Sequence, residues 1–159
     1  MIATLLFLTP LFGSEAYLLP DDYAMLNYNL SQKIKRAHKV TIVTQSFQHP
    51  SLNRALLKHL SSHNDLLLIT ADQPSAAYFA KYKNTQVYLP PNTFDTTHFK
   101  LNFMIIDQSD VCFFSTAITQ ENFKKESAYA RCSNDEEEIA FALKTGQLLS
   151  QRFLPYFNP

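Results

Sequence analysis

The segment Thr97–Thr119 reads THFKLNFMIIDQSDVCFFSTAIT. Its apolar run Leu101–Ile106 is preceded by His98 and Lys100 and closed by Asp107. A polar link, Gln108-Ser109-Asp110, leads into a second apolar run, Val111–Phe114, which ends in Ser115. Two aliphatic and aromatic runs joined by a short polar turn predict a β-hairpin. A hairpin that only builds a core needs no reactive groups at its ends. This one gathers a His, a Lys, an Asp and a Ser there, and those side chains are the candidate site.

Outward from the hairpin, the chain alternates strand and helix patterns. Tyr17–Pro20 reads as a short strand. Asp21 is placed to cap a helix with Leu26, Leu30, Ile34 and Ala37 at helical spacing. Val40, Ile42 and Val43 predict a strand ending in Gln45-Ser46-Phe47, and Pro50 suits the first turn of a helix striped by Leu52, Leu56 and Leu60. Asp65–Thr70 is a continuous apolar run, as in a strand covered on both faces. A short helix from Asp72 and Pro74 and a strand over Thr85–Leu89 follow. Pro90–Thr97 is a loop by composition and delivers the chain to His98. Beyond the hairpin, Gln120–Lys125 predicts a turn or short helix and Glu126–Arg131 a last strand. Ser133 and Glu136 have capping-box spacing, and Asp135, Glu136 and Glu137 suit a helix start better than a metal site. That helix, with Ile139, Leu143, Leu149 and Phe153 facing inward, ends at Pro155. The order predicts an α/β fold, a mixed β-sheet flanked by helices on both faces.

The hairpin resembles the signature of the phospholipase D superfamily, in its small single-motif nuclease-like members. That signature is His-x-Lys, four residues, Asp, then a Gly-Ser-x-Asn turn and often a Thr. Anchored on Met104–Asp107, Ser115 falls on the family Ser and Thr119 on the trailing Thr. Phe114 stands at the Gly position and Ala117 at the Asn position. His98 and Lys100 lie two residues upstream of the His-x-Lys pair, so without a gap Lys100 falls on the family His and Asn102 on the family Lys. Glu126 resembles a Glu on the following strand, with a two-residue gap. The order of elements over residues 17–154 also follows the family's domain.

The resemblance implies metal-independent phosphodiester hydrolysis, with no metal and no cofactor. One His attacks phosphorus to form a phospho-His, and a second, from another motif copy, protonates the leaving oxygen. Imidazole suits both tasks near neutral pH, and cations stabilise the transferring phosphoryl group. A chain with one motif completes such a site only as a homodimer. By that implication His98, Lys100, Asp107, Ser115 and Glu126 are the catalytic candidates. Lys100, Asn102, Ser115 and Thr119 would hold phosphate. A shift of two keeps His98 and Lys100 on the same strand face but moves them by about 6.6 Å, where catalysis tolerates about 1 Å; a two-residue bulge would restore them. Two functions stay open. One is an active homodimeric nuclease or phosphodiesterase. The other, favoured by Phe114, Ala117 and the displaced His98, is a protein whose eroded site leaves a binding or structural role, with DNA or another phosphodiester as ligand.

Composition bounds these readings. The 159 residues suit one domain, and 46% apolar residues with 13 Phe suffice for one core. Two Gly residues exclude a P-loop or a dinucleotide-binding glycine fingerprint. Zero formal net charge argues against a broad nucleic-acid footprint. The local cluster Lys33, Lys35, Arg36, His38 and Lys39 reads first as a helix end that suits cations. Met1–Phe12 is apolar and too short to span a bilayer. It fits a signal peptide over residues 1–16, with Ser14 and Ala16 as the small residues before cleavage, although no Lys or Arg precedes the run. Export to the periplasm or medium follows, with a mature domain over residues 17–159. Cys112 and Cys132 fall on consecutive predicted strands, either bridged or as two buried thiols.

Overall fold

The computed structural model describes residues 14–157. The apolar run Met1–Phe12 lies outside them. Strand β1 (Ser14–Leu19) leads to helix α1 (Tyr23–Arg36), strand β2 (Lys39–Thr44), the short strand β3 (Phe47–Gln48) and helix α2 (Pro50–Ser61). Strand β4 (Asp65–Thr70), helix α3 (Gln73–Phe79) and strand β5 (Thr85–Leu89) follow. A 3-10 turn (Thr96–His98) precedes the hairpin of β6 (Phe103–Ile106) and β7 (Asp110–Phe114). The chain closes with β8 (Ile118–Thr119), α4 (Gln120–Lys125), β9 (Ala128–Ser133), α5 (Glu136–Arg152) and β10 (Leu154–Pro155).

Eight strands form one mixed sheet in the order β1-β9-β7-β6-β2-β4-β5-β10, and β3 pairs with β8 beside it. Strands β2, β4 and β5 run parallel, as helical crossovers require. The hairpin joins antiparallel to β2, with Val43 opposite Phe103. The end of β2, the start of β6 and the end of β7 therefore meet at one edge of the sheet. This is the carboxyl edge of the parallel strands, where open α/β sheets place their ligands.

Side-chain alternation feeds two cores. Val40, Ile42, Met104, Ile106 and Cys112 pack with Leu26, Leu30 and Ile34 of α1, Leu52 and Leu56 of α2 and Phe79 of α3. Val43, Phe103, Ile105 and Val111 point the other way, to Ile139 and Ala142 of α5 and to Phe153 just past it. Both faces of β6 are covered, which is why its four residues are all apolar and all buried. The mixed sheet with helices on both faces is the predicted one.

Local boundaries differ for identifiable reasons. Helix α1 is entered through Asp22 rather than Asp21; the Asp22 carboxylate accepts from the Leu18 amide and so closes the turn instead of capping the helix. Helix α5 is capped by Asp135, whose Oδ1 accepts from the amides of Glu137 and Glu138, while Ser133 holds the Asp135 amide. Strand β9 starts two residues later than predicted because α4 runs on to Lys125 and leaves Glu126 as its C-cap. Beyond α5, Leu154 and Pro155 pair with β5 instead of ending the chain's structure.

Cys112 and Cys132 are register partners on β7 and β9, with Cα atoms 4.0 Å apart, and form a disulfide. At the hairpin tip Asp107 and Gln108 have φ of 54° and 59°. A short loop between right-twisted strands demands this left-handed backbone, which Asp tolerates better than Gln.

Candidate functional site

At the carboxyl edge, Asn102 and Thr44 form the centre of a closed hydrogen-bond network. The fully buried Thr44 places its hydroxyl 2.8 Å from Asn102 Oδ1 and 3.0 Å from the Ser46 carbonyl, and accepts from the Ile118 amide at 3.1 Å. Asn102 Oδ1 also accepts from the Gln45 amide at 3.3 Å, and its Nδ2 reaches the Lys100 carbonyl at 3.4 Å. Three chain segments, the end of β2 and the approaches to β6 and β8, are thus tied by one side-chain pair. Every group in the pair is neutral. The Gln45 and Ile118 amides are both engaged by this pair.

The side chains of His98 and Lys100 lie outside this network. His98 ends the 3-10 turn and β6 begins only at Phe103, so none of His98, Lys100 and Asn102 lies on a strand and the expected strand alternation fails for all three. The turn forms because Asp95 accepts from the amide and hydroxyl of Thr97, at 3.0 and 2.7 Å. Those two bonds hold the exposed Asp95 carboxyl below the usual carboxylate range. His98 Nε2 lies 3.5 Å from Asp95 Oδ2, with 77% of the imidazole exposed. Gln45 Nε2 donates to the Thr96 carbonyl at 3.1 Å and fastens the turn to the end of β2. Lys100 is exposed between the turn and β6.

The other candidates each make local hydrogen bonds. Asp107 sits at the opposite end of β6, where its Oδ1 accepts from the amides of His38 and Lys39 at 2.7 and 2.9 Å. Five residues at about 3.4 Å each put it roughly 17 Å along the strand from Asn102. The exposed Ser115 accepts through Oγ from the Tyr129 amide at 2.8 Å and extends the β7–β9 pairing. Thr119 caps α4 by accepting from the Asn122 amide. Glu126 Oε2 accepts from the buried Thr116 hydroxyl at 3.1 Å, which in turn accepts from Asn122 Nδ2 at 2.8 Å. Among the described residues, no group of three or more His, Cys, Asp or Glu side chains is placed to hold a metal ion.

No protein-family model and no curated protein matches the sequence. Solved structures do. NucT from Helicobacter pylori superposes with a TM-score of 0.81 over 91% of this chain and 99% of its own, at 21% identity. Nuc from Salmonella typhimurium, a phospholipase D family member, gives 0.76 over 92% and 99%, at 18% identity. The chain has the phospholipase D fold. TrmBL2, an archaeal chromatin protein with a novel mode of DNA binding, superposes with a TM-score of 0.63 over 89% of this chain and 54% of its own, at 11% identity.

Two features of this phospholipase D-like edge escape the motif. The first is Thr44: a polar residue closing a β-branched run is ordinary in sequence, and only the pairing of β2 with β6 puts it against Asn102. The second is an apolar cavity of about 340 Å³ beside His98 and Lys100. Phe94, Phe99, Leu101, Leu149 and Phe153 line it, and Arg152 at the end of α5 completes the rim. The sequence signal was an aromatic pair, Phe94 inside the Pro-rich loop and Phe99 just beyond it, where apolar rings need a partner.

A separate imidazole is fully buried. His49 caps α2, with Nδ1 accepting from the Leu52 amide, and packs between the rings of Tyr23 and Phe123, centroids 6.0 and 5.4 Å away. Burial pushes its pKa from 6.5 down to about 4. It therefore stays neutral at physiological pH and belongs to the core.

Proposed function

We propose that the protein is an exported phospholipase D-like protein that has lost phosphodiester hydrolysis and retains a binding role toward a phosphodiester ligand. The Asn102–Thr44 network carries this reading. At the position aligned with the family's phosphate-gripping Lys there is a neutral amide, and its oxygen is already taken by Thr44 and Gln45. Two further substitutions support it: Phe114 is buried where the family has Gly, and Ala117 offers no phosphate ligand where the family has Asn. The homodimeric hydrolase asks His98 to meet Ser115 and Glu126. His98 is instead engaged by Asp95, Ser115 by Tyr129 and Glu126 by Thr116.

Binding is supported by the basic side chains that remain at this edge. His98, Lys100 and Arg152 line one cavity, and His98 lies beside the Asp95 carboxylate. Export is supported by the Cys112–Cys132 disulfide, a bond that persists in oxidising compartments. No helix among the described residues is long and apolar enough to cross a membrane. The test is to incubate the protein with single-stranded DNA in EDTA and follow binding and cleavage together. Retention of intact DNA, weakening as salt rises, is the expected result. Cleavage that vanishes in His98→Ala refutes the loss of chemistry.

A further inference from the structure

We propose that the cavity beside His98 and Lys100 is a stacking pocket for one nucleobase of single-stranded DNA. The flanking phosphate would lie on His98, Lys100 and Arg152. The inference rests on the phosphodiester-binding reading above and names the part of the ligand that reading leaves open. The floor is a triad of phenyl rings. Phe94 lies 6.5 Å from Phe99 and 5.6 Å from Phe153, and Phe99 lies 5.8 Å from Phe153, all tilted or edge-on. Phe99 and Phe153 are 5% and 7% exposed, so the floor is rigid. Phe94 is half-buried and Leu101 39% exposed, so the mouth is open.

The chemistry of the walls selects the ligand. Aromatic rings in this arrangement favour another flat ring with a complementary quadrupole. A volume of about 340 Å³ lies near the lower end of the roughly 300–1,000 Å³ of small-molecule sites. That suits one ring system rather than a long acyl chain. The cavity walls carry few hydrogen-bonding groups, so the pocket would accept bases with little regard to sequence, as stacking platforms do. The rim supplies the charge. Among the described residues, neither Lys100 nor Arg152 has an acidic partner, and the only carboxylate ion-paired at the rim is Asp95 with His98. Asn102 fixes the Lys100 backbone and Gln45 fixes the Thr96–His98 turn, so the cations stand on a fastened edge. An aromatic floor beside clustered cations is how sequence-tolerant single-strand sites are built.

The experiment compares three fluorescent ligands by anisotropy against the full chain. They are an eight-residue oligothymidylate, an abasic oligomer of the same length and charge, and dodecyl phosphate. The oligothymidylate should bind at least about 10-fold more tightly than the abasic strand, the effect expected of base stacking. Leu101→Glu, an exposed change at the mouth, should abolish that difference. Phe94→Leu, which keeps the apolar volume, should reduce it several-fold. Arg152→Glu should weaken both strands alike. Equal binding of the two strands, with Arg152→Glu weakening both, overturns the stacking pocket and leaves phosphodiester binding in place. Tighter binding of dodecyl phosphate than of either strand overturns the pocket as a base site. No binding of either strand overturns both readings.

Discussion

Removing the Cys112–Cys132 bond provides a quantitative test of the compartment and of the sheet. The two residues are separated by 20 positions and sit on neighbouring central strands, both nearly inaccessible. In the chain-entropy account, closing a loop of this length in the unfolded state contributes about 3 kcal/mol. For a chain of 159 residues, each kcal/mol moves the melting midpoint by roughly 2–4 °C, so the shift should be about 6–12 °C. The double variant Cys112→Ala/Cys132→Ala also removes two buried sulfurs, which adds a small packing loss. Reduction of the wild type isolates the cross-link itself. Thermal unfolding followed by circular dichroism, with and without reductant, reads both. A midpoint that falls by about 6–12 °C on reduction, with no shift in the double variant, supports the argument. Oxidised and reduced forms melting together would refute it, as would two titratable thiols in protein taken from an oxidising compartment.

Three other perturbations follow from particular residues. His49 has a folded pKa near 4 against an ordinary 6.5, so its contribution is present above pH 6.5 and lost as pH falls toward 4. At 1.36 kcal/mol per unit this amounts to about 3 kcal/mol, and His49→Asn, which keeps a capping acceptor, should flatten the pH dependence of urea midpoints between pH 7 and 4. An unchanged slope would discount the burial argument. Thr44→Val strands the Ile118 amide and should cost about 1–3 kcal/mol in chemical denaturation; a change within about 0.5 kcal/mol would show the network to be incidental. Gln108→Gly relieves a left-handed backbone at the hairpin tip and should raise stability by about 1 kcal/mol, read from the same denaturation curves.

The fold was legible because its signals are local and repeated. The stripe Leu26-Leu30-Ile34, the run Leu66–Ile69 and the two halves of the hairpin each declare an element without reference to the rest. The positions of the reactive groups were less legible, because they depend on where strands stop. His98 reads as one step of a strand through Asn102, yet Asp95 captures Thr97 and winds the chain into a 3-10 turn that includes His98. Glu126 reads as the start of a strand, yet α4 keeps it as a cap. The partnership of Thr44 with Asn102 spans 58 residues and has no periodic signature. The cavity is assembled from a loop and the end of the last helix, two segments that no local pattern connects.

We propose that the neutral Asn102–Thr44 network stands where an active relative would attack a phosphodiester. The direct measurement is turnover of bis-p-nitrophenyl phosphate by the folded, oxidised protein in EDTA, beside His98→Ala. Both are expected to release nitrophenolate at the rate of buffer alone. Turnover by the wild type that disappears in His98→Ala would contradict this proposal.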